Sequence, residues 1–166
     1  LAPGDAKCTF GTGAFLLAKT GLLSGKAATT HHSAFKKFAM DFADVRLERG
    51  ARWVDSGNVA TAGGLSSGID LALHVVERYF GREAAKATAF QMEYPGEGWM
   101  RRDSNAVYAA RRESTDAHPL CPVCEMDVDP ATALKSVYAG KTYRFCGPAH
   151  KTLFDRDPAK WLAEGN

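Results

Sequence analysis

The sequence predicts an α/β protein: a partial parallel sheet with helices, followed by a small module built from a β-hairpin and helices. Three observations predict it. Over residues 1–98, strand-length apolar runs alternate with segments whose apolar residues recur at helical spacing. Over residues 120–166, the pattern shortens to one hairpin and two brief helices, and three of the four cysteines gather there. Between them, residues 99–119 carry Arg101, Arg102, Arg111 and Arg112 with few core candidates, and read as a linker or a basic contact patch. A chain of 166 residues is long enough for one domain plus a small module.

The elements follow in order. Lys7–Phe10 reads as a strand, meeting glycines at Gly11 and Gly13 and then an almost wholly apolar helix over residues 14–23. Residues 26–30 read as a short strand. Ser33 reads as an N-cap, with Phe35, Phe38, Ala39 and Phe42 along one helical face. Val45, Leu47 and Arg49 alternate with polar residues. A strand over residues 52–55, the turn signal Ser56-Gly57-Asn58 and a strand over Val59–Ala62 come next. Gly63-Gly64 opens a helix in which Ser67 and Asp70 have capping-box spacing. Ile69, Ala72, Leu73, Val76 and Phe80 form its expected buried stripe, and Gly81 ends it. A helix over residues 83–92 completes this part. In the tail, Val137 and Tyr138, a turn at Ala139-Gly140, and residues 142–145 form the hairpin. Pro148 opens a helix through His150, Leu153 and Phe154, and Asp157-Pro158 starts a last one with Trp161 and Leu162.

Composition narrows the function classes. A net charge of +2 is too mild for a nucleic-acid footprint, so no nucleic-acid partner is expected. No apolar run approaches the roughly 18–20 residues that span a bilayer, and the start lacks the basic and apolar regions of a signal peptide. The expectation is no membrane partner and a cytoplasmic placement. The chain starts at Leu1 rather than Met, which is the pattern of a processed product or of a chain lacking upstream elements.

Chemistry concentrates at Cys121, Cys124, Cys146 and His150, which read C-x₂-C-x₂₁-C-x₃-H. Cys-Pro-Val-Cys can place two thiolates on one side of a tight turn. Cys146 leaves a strand and His150 follows one helical turn later, so both can face one point. Three thiolates and an imidazole form a closed tetrahedral set suited to zinc, and a module this small gains from a metal that helps it fold. Copper or iron could use the same donors. His118 is a spare imidazole in the linker.

The stretch CPVCEMDVDPATALKSVYAGKTYRFCGPAHKTLFDRDPAKWL resembles a YHS domain, a metal-binding module, in its Pro-Val-Cys, Val-Asp-Pro, Tyr-x-Gly-Lys-x-Tyr-x-Phe-Cys and closing Phe-x-x-x-Pro-x-x-Trp-Leu segments. It departs from that pattern at Glu125, where Gly is usual, at His150, where a second Cys is frequent, and at Cys121, a place often held by Asp.

The segments GTGAFLLAKTGLLSGKAATTHH, RWVDSGNVATAGGLSSGIDLALHVVERYFGREAAKATA and MEYPGEGWM resemble the C-terminal half of a ThiJ/PfpI domain, in the class I glutamine amidotransferase-like superfamily. They are nearest the branch with isonitrile hydratases and the N-terminal halves of AraC-type regulators. The resemblance implies a flavodoxin-like parallel sheet, usually dimeric, with a nucleophilic Cys on a strained strand-to-helix turn. Gly11 stands in the place of that Cys, a degenerate nucleophile position. His31 lies where the family often carries an active-site His and is a candidate relic base, with a surface His pair as the alternative. Cys8, three residues before the elbow, is expected to point into the core. Gly11, Thr12 and Gly13 could form an anion-binding nest, with plain turn geometry as the alternative. The relatives place about three strands and an acidic residue before the elbow, so either a homodimer forms or that upstream half is missing.

The sequence therefore divides into a ThiJ/PfpI-like region over residues 1–98, a linker over 99–119 and a YHS module over 120–166. The leading expectation is a metal-ion-binding protein, zinc first, whose other part is catalytically degenerate at Gly11. Two alternatives stand beside it: a cysteine-dependent hydrolase, hydratase or glyoxalase-like enzyme, or a regulator derived from that superfamily.

Overall fold

The computed structural model describes residues 7–110 and 113–163; Arg111, Arg112 and the start at Leu1 lie outside the described residues. Its first part contains β1 (Lys7–Phe10), α1 (Gly13–Lys19), β2 (Ala27–Ala28), a 3₁₀ turn (His32–Ala34), α2 (Phe35–Asp41), β3 (Arg46–Leu47), β4 (Trp53–Asp55), β5 (Val59–Ala62), α3 (Leu65–Phe80) and α4 (Arg82–Gln91). The second part contains β6 (Leu134–Tyr138), β7 (Lys141–Phe145), α5 (Pro148–Arg156) and α6 (Pro158–Leu162). The fold is α/β.

The sheet is less purely parallel than the sequence predicts. β1 runs parallel to β5, with Lys7 opposite Val59 and Phe10 opposite Ala62. β4 pairs antiparallel with β5, placing Trp53 opposite Ala62. The short Ser56-Gly57-Asn58 connection forces that direction, because parallel neighbours need a crossover of a dozen or more residues. Asp55 Oδ1 accepts from the Gly57 N–H at 2.9 Å and shapes the turn. β2 and β3 form a separate parallel pair. β2 is shorter than predicted because the Thr29 N–H donates to Thr61 Oγ1 at 2.8 Å instead of continuing the ladder.

Several local expectations are corrected. α1 stops at Lys19, where the Thr20 hydroxyl donates back to the Leu17 carbonyl at 2.7 Å, although Leu23 beyond it is still fully buried. Ser33 is not the cap of its helix; the His31 imidazole accepts from the Ser33 N–H and opens the 3₁₀ turn. Phe35 and Phe38 are buried as expected, and Phe15 meets Phe38 edge-on with centroids 5.1 Å apart. Ser67 and Asp70 do not cap α3, which begins after Gly64; both are buried inside the helix. α3 presents two apolar faces instead of one stripe. Leu71 and Val75 pack on Trp53, Ala60 and Ala62 of the sheet. Ile69, Leu73 and Val76 pack on Ala85 and Ala89 of α4 and on Trp99. Ala72 and Phe80 are exposed.

Beyond α4 the chain straps back over the first part. The Arg52 N–H donates to the Arg102 carbonyl at 2.6 Å, and Trp53 Nε1 donates to the Gly98 carbonyl at 3.0 Å. Arg52 makes the centre of a polar knot. Its Nε pairs with the fully buried Asp70, its Nη1 donates to Asn105 Oδ1 at 3.0 Å, and its Nη2 donates to Ser66 Oγ at 3.1 Å. Asn105 Nδ2 in turn donates to Ser67 Oγ at 3.2 Å.

The second part folds around Val123, Phe145, Phe154 and Trp161, with the hairpin in the register Leu134 opposite Phe145 and Tyr138 opposite Lys141. Ala139 and Gly140 both take positive φ, which matches the twist of a two-residue hairpin turn. Met40 of α2 packs against this cluster, so the two parts touch.

Candidate metal centre

Two local structures bring the four predicted donors together. The first is the turn after Leu120. The Cys121 N–H donates to the Met126 carbonyl at 2.9 Å, and the Glu125 N–H donates to the Cys121 carbonyl at 2.8 Å, closing a loop that carries both Cys121 and Cys124. The second is the junction of β7 with α5: Cys146 follows the last strand residue, and Pro148 opens the helix whose first turn carries His150. The donor atoms of Cys121, Cys124, Cys146 and His150 all lie within 4.8 Å of one another. Cys124 Sγ is 3.6 Å from Cys146 Sγ, Cys146 Sγ is 3.1 Å from His150 Nδ1, and Cys121 Sγ is 3.7 Å from the same nitrogen. Sulfurs bound at about 2.3 Å around one tetrahedral ion sit roughly 3.8 Å apart, so the set fits a metal of that size.

The thiols share their protons unequally. The Cys121 thiol is pulled down to about 4, chiefly because Cys124 hydrogen-bonds to its thiolate, with backbone N–H groups adding to the effect. Cys124 is pushed up as the partner that keeps its proton for Cys121, and burial adds to this. Cys146 is pushed up by burial and then by the Cys121 charge. Three sulfurs thus carry one negative charge readily and resist more until a positive ion arrives. Cys121 and Cys124 are buried, whereas Cys146 is exposed.

Glu125, the departure from the glycine pattern, has φ +59°. The turn asks for a left-handed residue and receives a side chain that disfavours it.

The other predicted positions lie apart from this centre. Gly11 has φ +56°, the left-handed geometry of a strained elbow, and a Cβ built there would meet only the Gly63 carbonyl oxygen at 3.8 Å. Its N–H donates to the carbonyls of Ala62 and Gly63, at 3.0 and 2.6 Å, so a nest of Gly11, Thr12 and Gly13 would lack its first donor, as in the alternative of plain turn geometry. Thr12 is the N-cap of α1 but makes no side-chain capping bond. Thr30 Oγ1 donates to the Gly11 carbonyl at 2.8 Å, which brings His31 to the neighbourhood of the elbow. His31 Nδ1 lies 2.8 Å from Ser33 Oγ and 3.3 Å from the Ser33 nitrogen. With Nδ1 accepting, the ring hydrogen sits on Nε2. His31 lines a cleft of about 400 Å³ with Arg52, Ser66, Asn105 and Tyr108. Cys8 is exposed, not in the core, because β1 is an edge strand. Loss of water around its sulfur and then the Asp55 charge raise its thiol, the opposite of the lowered value an activated thiol shows.

Sequence reasoning missed the Arg52–Asp70–Asn105 knot. The buried Asp70, unusual inside an apolar helix, was the signal that could have found it. Among the described residues, no helix is long and apolar enough to cross a membrane.

Comparison with known proteins finds similarity in both parts of the chain. Residues 121–164 match the YHS domain model. The chain is 36% identical over 83 residues to isonitrile hydratase of Pseudomonas putida, a match covering 50% of this chain and 35% of that protein. A solved ThiJ/PfpI family protein from Pseudomonas syringae matches 62% of this chain and 43% of its own length, at 27% identity and TM-score 0.49. Drosophila melanogaster DJ-1beta matches 56% of this chain and 49% of its own, at 21% identity and TM-score 0.47. The chain spans about a third to a half of the length of these relatives. It carries a YHS domain over residues 121–164, joined to a region similar to the ThiJ/PfpI proteins.

Proposed function

We propose that the protein binds a metal ion as cargo, zinc first with copper or iron as alternatives, through Cys121, Cys124, Cys146 and His150, in a holding or delivery role. The carrying observation is the approach of three sulfurs and one imidazole nitrogen to within 4.8 Å. In this reading residues 120–166 are the metal module, residues 99–119 connect it, and residues 1–98 are a catalytically degenerate partner that lost its nucleophile at Gly11. Reduced protein incubated with zinc and freed of excess by gel filtration is expected to retain about one equivalent by elemental analysis, and Cys124→Ser to retain far less. Stoichiometry near zero in the unsubstituted chain overturns the reading.

A second reading is supported by the elbow itself. Gly11 keeps a left-handed φ of +56° and has room for a Cβ, as a cysteine-bearing turn would. The parent is then a cysteine-dependent hydratase or hydrolase and glycine a substitution in this copy. Gly11→Cys is expected to fold and to titrate below the ordinary thiol value near 8.5. A thiol at or above that value counts against this reading.

A further inference from the structure

The metal centre opens onto a cleft of about 340 Å³ that both parts of the chain build. Cys124 and His150 form part of one wall, with Val123 and Met126 as apolar neighbours; Phe15 of α1 and Lys37 of α2 stand among the residues from the first part. The cleft therefore offers three chemistries together: a soft-donor metal set, an apolar middle and a cation.

We propose that this cleft binds a small molecule bearing a thiol and a carboxylate, and that the bound thiol draws on the metal through the His150 position. The inference rests on the metal-binding reading above. Three features select the ligand. His150 is the single nitrogen among sulfur donors and lines the cleft, so it is the donor a soft sulfur replaces with least loss. Lys37 is held by Asp41 only as an exposed pair one helical turn apart, a weak contact that an incoming carboxylate can take over. The Phe15 ring lies beneath Lys37, with its centroid 5.9 Å from Nζ, and offers an apolar surface to a short aliphatic spacer. In the exchange, the ligand S–H bond breaks and its proton passes to solvent. Its sulfur bonds to the metal cargo and the bond from His150 Nδ1 breaks. No oxidation state changes.

The test uses the full chain loaded with one equivalent of zinc, and reads the rate at which zinc passes to a chromophoric chelator. The probes are 3-mercaptopropionate, 2-mercaptoethanol, which lacks the carboxylate, and propionate, which lacks the thiol. With 3-mercaptopropionate the rate is expected to rise and saturate. Lys37→Gln is expected to raise the half-saturating concentration about threefold and Lys37→Arg to restore it. The variant should leave the rate with 2-mercaptoethanol unchanged, and propionate alone should not accelerate release. A rate that stays linear in 3-mercaptopropionate, or that ignores Lys37→Gln, overturns the inference while leaving zinc binding intact. A chain that takes up no zinc fails the metal reading itself and this inference with it.

Discussion

Glu125 donates its backbone N–H to the Cys121 carbonyl at 2.8 Å while holding φ at +59°. The turn that presents two of the candidate metal donors is thus closed by a residue in the left-handed region, where a Cβ costs about 1–2 kcal/mol. Glu125→Gly removes that strain but gives back part of the gain as unfolded-chain entropy. The expected outcome is a stabilisation of about 0.5–1 kcal/mol in denaturant unfolding, with zinc stoichiometry unchanged.

Metal uptake should release thiol protons. Cys121, held down to about 4, is already a thiolate at pH 8, whereas Cys124 and Cys146 are pushed up and keep their protons. Binding that uses all three sulfurs then expels about two protons per metal. Calorimetric titration in two buffers of different ionisation enthalpy measures the number directly. A count near zero would mean that Cys124 and Cys146 do not ligate as thiolates.

The Arg52–Asp70 pair predicts a stability effect remote from the metal centre. Asp70 is fully buried and Arg52 ties it to Ser66 and Asn105. Asp70→Ala leaves Arg52 with no opposing charge at that site. The expected loss is about 3–5 kcal/mol by denaturant unfolding, since breaking a mostly buried pair from one side strands the other charge.

Asp55 should make the first part acid-sensitive. Burial alone would raise its carboxyl, but the Gly57 N–H, His74 and Arg78 outweigh it and hold the carboxyl below its ordinary value. A carboxyl depressed in the folded state stabilises fully above its unfolded value near 3.8, and that contribution fades as pH falls through the lower folded value. Asp55→Asn is therefore expected to destabilise at pH 7 by about 1–2 kcal/mol and to lose most of that difference at the acid end of the range. Thermal unfolding from pH 7 to pH 2 checks it; equal differences at both ends would contradict the assignment.

How much the sequence revealed depended on how far apart the partners stood. The four donors could be grouped by reading because they come in two close pairs, Cys121 with Cys124 and Cys146 with His150, each confined to one local structure. The β5 strand was legible at both ends because Gly57 and Gly63 bracket it. The Arg52 contacts were not, since Asp70 and Asn105 lie 18 and 53 residues away. Ser67 and Asp70 imitated a cap because capping spacing is also helical spacing. The second apolar face of α3 escaped notice because Leu71 and Val75 bury against the sheet only when β4 turns back beside β5.

The unequal cover over the sulfurs has a practical meaning. Cys121 and Cys124 lie inside, while Cys146 and the distant Cys8 stand in the open. An alkylating reagent reaches the two outer cysteines directly and the inner ones only when the module opens, so labelling reports on that opening. Slower marking at Cys146 than in metal-free protein, with the rate at Cys8 the same in both, would register an occupied centre within a single mass spectrum, using the distant Cys8 as the built-in standard.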